Sequence, residues 1–406
     1  MSLSFLLEKI HTVNDFIALW GEDFPLLKEL KTTIQDKEWH GEGDVHIHTD
    51  LVLYEVYNII NDKLCNLCED DKIALILGAI FHDICKPLTT KEKELNGIIR
   101  VVAPKHEEYG RNYLFYKLNT IIKNKKIFNN VLGIVGFHQT PKMLVIRNQP
   151  KGKFFQLARR VPLKLIYLLE IADIKGRTCP DKENQIDYLE LFKIYAQEYN
   201  LWDANNVYKD EKAFIDSELT DFSDLTKQYV FSEYCRQFEK GAIVCPEEEI
   251  ARSYQYRNGF PHLIVNCGVS GVGKSTYIED NYKEYNVISL DGLREELLGS
   301  RSDHSHERKV LDEAKARLKV LLAKKEKIIW DATSYRSDFR KVPLGLGFNY
   351  RAFTEISLFN KTRKDILAQN KQRDTDVTEK IIDIQMKKFE VPHIEECHNI
   401  KEIYGF

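Results

Sequence analysis

Proline and glycine are scarce in this sequence, with 11 prolines and 20 glycines among 406 residues. This scarcity argues against long disordered linkers. The eight cysteines are scattered along the chain, which excludes a disulfide framework and fits a reducing compartment. No apolar run approaches the roughly 18 residues that a membrane-spanning helix needs. We therefore expect a cytoplasmic protein that has no membrane partner.

The sequence also lacks a large excess of either positive or negative charge, because the formal net charge is only −3. No overall basic field marks the chain as a nucleic-acid-binding protein, although a local basic groove remains compatible with this balance. The hydrophobic content of 43% is enough for sizeable cores. At roughly 150 residues per domain, the length favours two or three domains.

The hydrophobic pattern changes its period near residue 250. Before that point, apolar residues recur at helical spacing, as in the segments 51–60 and 165–172. After it, short β-rich runs such as HLIVNC and KIIWDAT alternate with helical segments, which is typical of a parallel sheet with crossover helices. The sequence predicts a multidomain fold: an all-α domain over residues 1–186, a helical connector over 187–255 and an α/β domain over 256–406.

The stretch GVSGVGKST matches the phosphate-loop pattern GxxxxGK[ST] and lies between an apolar strand and a helix. Glycines allow backbone N–H groups to surround phosphate oxygens, and the helix N-terminus adds a positive dipole end. Lys274 can reach the β- and γ-phosphates, and the Ser275 hydroxyl can bind Mg²⁺. The predicted site for ATP or another nucleoside triphosphate comprises Gly268, Ser270, Gly271, Gly273, Lys274, Ser275 and Thr276.

Candidate acceptor residues follow the next strands. Asp291, at the end of VISLD, can accept a proton from a hydroxyl, while capping of the following helix is the alternative role. Arg294 lies one helical turn later and can bind a neighbouring phosphate. Thr333, which ends IIWDAT, and Arg340, which lies beyond it, are further candidates for substrate binding. Arg373 is a candidate lid arginine that would neutralise developing charge.

Together, GVSGVGKST, LDGLR, WDAT and the NKQR…FEVP segment resemble the polynucleotide 5′-kinase branch of P-loop phosphotransferases, from Leu263 to about Pro392. The resemblance implies that Asp291 is the general base, that Arg294 holds the phosphate beside the acceptor 5′-OH, and that Arg373 engages the donor phosphates. Relatives often carry an arginine where this chain has Gln369, a departure that affects the expected contact with the donor.

A second group of polar residues closes a buried apolar segment in the first half. The stretch LILGAIFHDICKP ends with His82, Asp83 and Lys86. An imidazole and a carboxylate side by side can bind one divalent ion, and the two oxygens of an aspartate can bridge to another. Histidines and an aspartate on other predicted helices could complete such a site: His48, His106, His138 and Asp173.

The order H…HD…H…H…D resembles the HD phosphohydrolase superfamily, and GDVHIHT, FHDICKP and ADIKGR are most similar to the HD domains of tRNA CCA-adding enzymes. This resemblance implies a first metal on His48, His82, Asp83 and Asp173, and a second on His106 and His138 with Asp83 shared. It also implies that Lys86 steadies a substrate phosphate. The ions would be one or two of Mn²⁺, Ni²⁺, Co²⁺, Fe²⁺ or Zn²⁺.

The two halves together resemble bacterial bifunctional HD-domain/polynucleotide-kinase end-healing enzymes. This implies phosphorylation of 5′-OH ends and removal of 2′,3′-cyclic, 2′- or 3′-phosphates from RNA, with DNA also possible as a substrate. No nucleotidyl-lysine motif is present, so sealing would fall to a separate ligase. Two alternatives remain: a nucleotide phosphohydrolase fused to a nucleoside or small-molecule kinase, and a kinase fused to a metal-free, RNA-binding HD-like module.

Overall fold

The computed structural model describes residues 3–203, 206–372 and 377–405. The chain forms two compact units, Met1–Val207 and Tyr208–Phe406. None of the described helices combines the length and the apolar character that crossing a bilayer requires.

The first unit is mainly helical. Its helices are α1 (Val13–Trp20), α2 (Leu26–Glu29), α3 (Val45–Asn61), α4 (Glu69–Phe81), α5 (Lys86–Thr89), α6 (His106–Phe115), α7 (Lys125–Phe137), α8 (Thr140–Ile146), α9 (Lys151–Ala158), α10 (Leu163–Gly176) and α11 (Lys182–Glu198). Short 3₁₀ turns lie at Ser4–Leu7, Leu30–Thr32 and Leu118–Thr120.

The first unit also contains a β-hairpin that the sequence analysis missed. Strands β1 (Lys91–Leu95) and β2 (Ile98–Val102) pair antiparallel across the turn Asn96-Gly97. Both turn residues have positive φ, 53° and 82°. Asn-Gly is the preferred pair for a two-residue hairpin turn, so this signal was present in the sequence.

The core of the first unit lies among α3, α4, α7 and α10. Helix α4 is buried from Ile73 through Phe81, which explains its unbroken apolar run. Its first turn carries Glu69, Asp70 and Asp71, whose negative charges interact favourably with the positive end of the helix dipole. Because α4 and α7 end inside the bundle, the polar residues that follow them lie in the interior.

The second unit is α/β. Its helices are α12 (Lys209–Glu218), α13 (Asp224–Glu239), α14 (Pro246–Arg252), α15 (Lys274–Asn281), α16 (Leu290–Leu298), α17 (Glu307–Ala323), α18 (Ser337–Asn349), α19 (Arg363–Asn370) and α20 (Glu379–Lys387). Its strands are β3 (His262–Cys267), β4 (Asn286–Ser289), β5 (Lys327–Asp331), β6 (Phe353–Asn360) and β7 (Asn399–Tyr404). Short 3₁₀ turns lie at Ser253–Gln255 and Ile394–Glu396.

The five strands of the second unit form one parallel sheet in the order β4-β5-β3-β6-β7. The central strand β3 is buried at all six positions, as expected for a strand covered on both faces. The predicted fold class, an all-α domain and a parallel α/β domain in one chain, is confirmed. The edge strand β7 was not singled out from the sequence.

The segment 187–255, predicted as a connector, divides between the two units. Helix α11 lies in the first unit, whereas α12, α13 and α14 belong to the second. Helix α13 packs against the sheet, since the ring centroids of Tyr229 and Phe353 are 5.4 Å apart. In addition, Glu233 Oε2 lies 2.9 Å from His398 Nε2. These three helices are therefore part of the α/β unit.

Candidate active sites

Six buried side chains from separate elements of the first unit converge in one cluster. His48 comes from α3, the pair His82–Asp83 follows α4, His106 begins α6, His138 follows α7, and Asp173 lies near the end of α10. We call these six residues the histidine–aspartate site. The sequence analysis named all six, and the structure brings them together across 125 positions of the chain, from 48 to 173.

Asp83 lies at the centre of this site. Its Oδ1 is 3.1 Å from His106 Nε2, and its Oδ2 is 3.2 Å from His82 Nε2. On one side, His48 Nε2 lies 2.9 Å from Asp173 Oδ1 and 3.4 Å from His82 Nε2. On the other side, the Nε2 atoms of His106 and His138 are 3.2 Å apart. The carboxylate of Asp83 thus separates two groups of ligand atoms.

Three of the histidines point the same ring nitrogen inward for a local reason. Nδ1 of His82 lies 2.7 Å from the carbonyl oxygen of Ala79, and Nδ1 of His106 lies 2.8 Å from that of Ala103. Nδ1 of His138 lies 2.9 Å from the Val135 carbonyl oxygen. A carbonyl can only accept, so each Nδ1 carries a proton and each Nε2 is the ring nitrogen that faces the cluster. Burial opposes protonation of His82, but Asp83 outweighs it and raises the pKa of His82.

Two supporting residues were missed by the sequence analysis. Glu42 Oε1 lies 3.0 Å from His48 Nδ1, which is the carboxylate–histidine arrangement found behind metal ligands. Arg177 donates through Nε to Asp173 Oδ1 at 3.0 Å, one helical turn after that aspartate. The spacing of four residues between Asp173 and Arg177 was the available signal for the second.

The surroundings of Asp83 and His138 shift their pKa values towards the protonation states in which these groups bind metals. Burial opposes ionisation of Asp83, but His82 and Lys86 outweigh it and hold the pKa of Asp83 well below its ordinary value. Burial, with a further contribution from His106, lowers the pKa of His138 well below the usual range. The site therefore offers an ionised carboxylate and a neutral imidazole, the forms in which these groups bind metals.

The donor set fits divalent transition metals. Among the described residues, three triads have ligand atoms within 4.8 Å of one another: His48–His82–Asp83, Asp83–His106–His138 and His40–Glu42–His48. The first two share Asp83 and consist of imidazoles and carboxylates, which suit Mn²⁺, Fe²⁺, Co²⁺, Ni²⁺ or Zn²⁺.

Lys86 lies at the margin of the cluster. Its Nζ is 2.7 Å from Asp83 Oδ2 and donates to Gln35 Oε1 at 2.7 Å. Its ammonium is therefore close to the carboxylate at the centre of the site. His46, two residues before His48, lies outside the cluster, and its ring nitrogens face Asn14 and Asp50.

The phosphate loop, residues 268–275, connects β3 to α15. Gly271 and Gly273 have φ of 79° and 100°, backbone conformations that favour glycine. Lys274 Nζ donates to the carbonyl oxygens of Gly268 and Val269 at 3.1 and 2.9 Å. The N–H of Ser270 donates to Gln385 Oε1 of α20 at 2.8 Å. Ser275 and Thr276, in the first turn of α15, are exposed.

Asp291 and Arg294 lie together in α16, after strand β4. Arg294 Nη1 donates to Asp291 Oδ1, and its Nε and Nη2 donate to the two oxygens of Glu307 at 2.7 and 3.1 Å. Ser289 caps the helix by accepting the N–H of Gly292, so Asp291 is not the capping residue. Glu307 was missed by the sequence analysis, because it is 13 residues from Arg294 in the chain.

Thr333 contacts the phosphate loop through its backbone. Its carbonyl oxygen accepts the N–H of Gly268 at 2.9 Å, and the residue is half-buried. This contact holds the first residue of the loop beside the segment that follows β5. Arg373, predicted as a lid arginine, lies outside the residues that the structure describes.

Arg340 corrects a sequence-based expectation. It was predicted to bind substrate, but its side chain is completely buried. Nε and Nη2 donate to the two oxygens of Glu396 at 2.7 and 3.0 Å, and Nη1 donates to the carbonyl oxygens of Ser334 and Glu390 at 3.1 and 3.0 Å. A guanidinium enclosed by protein acceptors in this way has a structural role.

Comparisons with known proteins agree with this architecture. Residues 48–174 match the family model described as HD domain, and residues 263–392 match the one described as AAA domain. The search of curated proteins returned no match.

Two solved structures show partial similarity. One, described as the structure of a Pnkp1/Rnl/Hen1 complex, is 22% identical over 30% of this chain and 42% of that chain, with a TM-score of 0.26. The other, a gluconokinase from Sinorhizobium meliloti 1021, is 18% identical over 36% of this chain and 83% of that chain, with a TM-score of 0.27. The match thus spans less than half of the chain from the complex. From the family matches and the geometry, residues 48–174 form an HD domain, and residues 263–392 form a P-loop, kinase-like domain.

Proposed function

We propose that this chain is a bifunctional enzyme that heals RNA ends. Its P-loop domain phosphorylates a 5′-OH end with a nucleoside triphosphate and Mg²⁺, and its HD domain removes 2′,3′-cyclic, 2′- or 3′-phosphates. The observation that carries the proposal is the presence, in one chain, of a buried histidine–aspartate site and a phosphate loop accompanied by Asp291 and Arg294. These two chemistries correct the two ends that a ligase cannot join.

In the HD domain, His48, His82, Asp83 and Asp173 would hold one metal, and His106 and His138 would hold a second with Asp83 shared. When bound, divalent ions supply Lewis acidity and lower the pKa of a water molecule. Water adds to phosphorus, the phosphorus–oxygen bond to ribose breaks, and the released ribose oxygen takes a proton.

The residues around the metal ligands have supporting tasks in this reaction. Lys86, whose ammonium lies 2.7 Å from Asp83 Oδ2, binds a phosphate oxygen of the substrate. Arg177 and Glu42 hold Asp173 and His48 in their orientations. Their role is to keep the ligand atoms in place, which typically affects metal affinity or activity by about 10- to 100-fold.

In the P-loop domain, the backbone of the phosphate loop and Lys274 would bind the donor phosphates, and Ser275 would hold Mg²⁺. The 5′-oxygen of the acceptor attacks the γ-phosphorus while Asp291 accepts the hydroxyl proton, and the bond to the leaving diphosphate breaks. Arg294, beside Asp291, binds the phosphate that follows the acceptor nucleoside. A clamp of this kind favours a polynucleotide or a nucleoside 3′-phosphate over a bare nucleoside.

The substrate class follows from combining the two reactions. RNA cleaved by attack of its own 2′-OH ends in a 2′,3′-cyclic phosphate and a 5′-OH, and each domain would act on one of these ends. DNA has no 2′-OH, so the cyclic phosphate makes RNA the preferred substrate, while a DNA 5′-OH remains accessible to the kinase. A separate ligase would join the healed ends.

The decisive experiment follows each terminus of an RNA oligomer that carries a 5′-OH and a 2′,3′-cyclic phosphate, with ATP, Mg²⁺ and Mn²⁺. Asp83→Ala should abolish phosphate removal and leave 5′-phosphorylation intact, whereas Lys274→Ala or Asp291→Ala should do the reverse. His46→Asn is the matched control for the first domain, because His46 is a buried histidine outside the cluster. Loss of both activities from one substitution in a folded protein would refute the two-site proposal.

A further inference from the structure

Lys361, the residue after strand β6, extends towards the phosphate loop. Its aliphatic stem runs against Gly405, where an added Cβ atom would lie 2.9 Å from Lys361 Cγ. Its ammonium ends near Gly273, where an added Cβ would lie 3.3 Å from Lys361 Nζ. The side chain therefore extends from Gly405, just after β7, to Gly273 of the phosphate loop.

Gln369 of α19 holds this ammonium in place. Lys361 Nζ donates to Gln369 Oε1 at 2.9 Å, and the Gln369 Nε2 atom would lie 2.9 Å from a Cβ atom at Gly273. The two side chains thus fill the space that the missing side chain of Gly273 leaves. An ammonium has three N–H donors, and the hydrogen bond to Gln369 uses one of them.

The position of Lys361 coincides with the part of the loop best suited to an anion. Gly273 has a left-handed conformation and caps α15, so the first N–H groups of that helix lie beside it. Lys274 Nζ lies at the other end of the loop, against the carbonyls of Gly268 and Val269. Lys274 and Lys361 therefore approach the loop from different ends. Because Gln369 is neutral, it holds the Lys361 ammonium without cancelling its charge.

We propose that Lys361 is a donor-phosphate-binding residue and that Gln369 positions its ammonium. This inference rests on the proposed kinase function and adds a residue outside the phosphate-loop motif. The local sequence gives no sign of such a role, because Lys361 is 87 positions from Lys274 and reaches the loop only through the parallel sheet.

The test measures binding of ATP·Mg²⁺ and of tripolyphosphate to the full chain by calorimetry. Lys361→Met should weaken both about tenfold or more, which is the effect of losing a charge-assisted contact to phosphate. Lys361→Arg should retain most of the affinity, and Gln369→Arg should restore binding in the Lys361→Met background. Lys364→Met is the matched control, because Lys364 is an exposed lysine three residues away and should bind as the unaltered protein does.

Steady-state kinetics separate phosphate binding from a general structural effect. Lys361→Met should raise the KM for ATP and leave the KM for the 5′-OH acceptor unchanged. Equal ATP affinity in the unaltered protein and Lys361→Met, or an equal loss in Lys364→Met, would overturn this inference alone. If the unaltered protein binds ATP but does not phosphorylate a 5′-OH end, the proposed function fails, and the binding measurement still shows whether Lys361 contacts the donor phosphates. No ATP binding by the unaltered protein would overturn both.

Discussion

Replacing Arg340 by methionine should lower the free energy of unfolding of the α/β unit without a specific effect on substrate affinity. The substitution removes the guanidinium that pairs with Glu396 and donates to two carbonyl oxygens, those of Ser334 and Glu390. Each carbonyl that loses its donor costs about 1 kcal/mol. Glu396, whose side chain is 20% exposed, regains some water and keeps the N–H of His393 as a donor, so the loss of its ion pair adds only about 1–2 kcal/mol. The free energy of unfolding should therefore fall by about 3 kcal/mol.

The assay is urea unfolding of the full chain, with hydrogen exchange of β3 and β5 reporting on the second unit. Arg336→Met is the control, because the Arg336 side chain is 40% exposed and pairs with the exposed Asp338. It should change the free energy of unfolding by less than about 0.5 kcal/mol. Unchanged stability of Arg340→Met together with a raised acceptor KM would refute the structural role and restore the substrate contact.

Three further predictions concern other parts of the chain. Glu307→Gln should lower the KM for a nucleoside 3′-phosphate about threefold, because it removes a carboxylate that competes for Arg294; an unchanged KM would contradict this competition. Arg177→Met should reduce the metal content of the purified protein, since Asp173 loses its bidentate partner; full metal retention would show that this support is dispensable. Burial raises the pKa of Glu249 from 4.5 to about 7, so the folded state binds this proton more tightly than the unfolded state and the free energy of unfolding falls as pH rises between these values. Glutamine does not ionise, so Glu249→Gln should remove about 2 kcal/mol of that fall, a figure that allows for solvent screening. Urea unfolding at pH 5 and pH 8 checks this last prediction, and equal pH dependence in both proteins would contradict it.

The phosphate loop was predictable because its functional residues are adjacent in the sequence. GVSGVGKST combines loop glycines, the lysine and the hydroxyl in nine residues between a strand and a helix. The histidine–aspartate site was accessible in another way, since its members lie next to predicted apolar helices in a recognisable order. The sequence could not give the distances between them, because they depend on how α3, α4, α7 and α10 pack.

The residues that escaped prediction act through tertiary contacts. Glu307 meets Arg294 only after α17 folds back beside α16, and Lys361 meets Gly273 only because β6 pairs with β3. Arg340 was misassigned for the same reason, because sequence pattern does not distinguish a buried arginine with a full set of acceptors from an exposed one. The hairpin β1–β2 is different, since its Asn-Gly turn was readable and was overlooked.

The hydrogen bonds from three imidazoles to carbonyls three residues earlier have an evolutionary consequence. The acceptors belong to the main chain, so the identities of residues 79, 103 and 135 can drift while the ring orientation is preserved. A single residue inserted into α4 or α7 cannot be tolerated in the same way, because it would turn the ring of His82 or His138 by about 100° around the helix and point it away from its neighbours. Selection at these two helices should therefore act against changes of length more strongly than against changes of side chain.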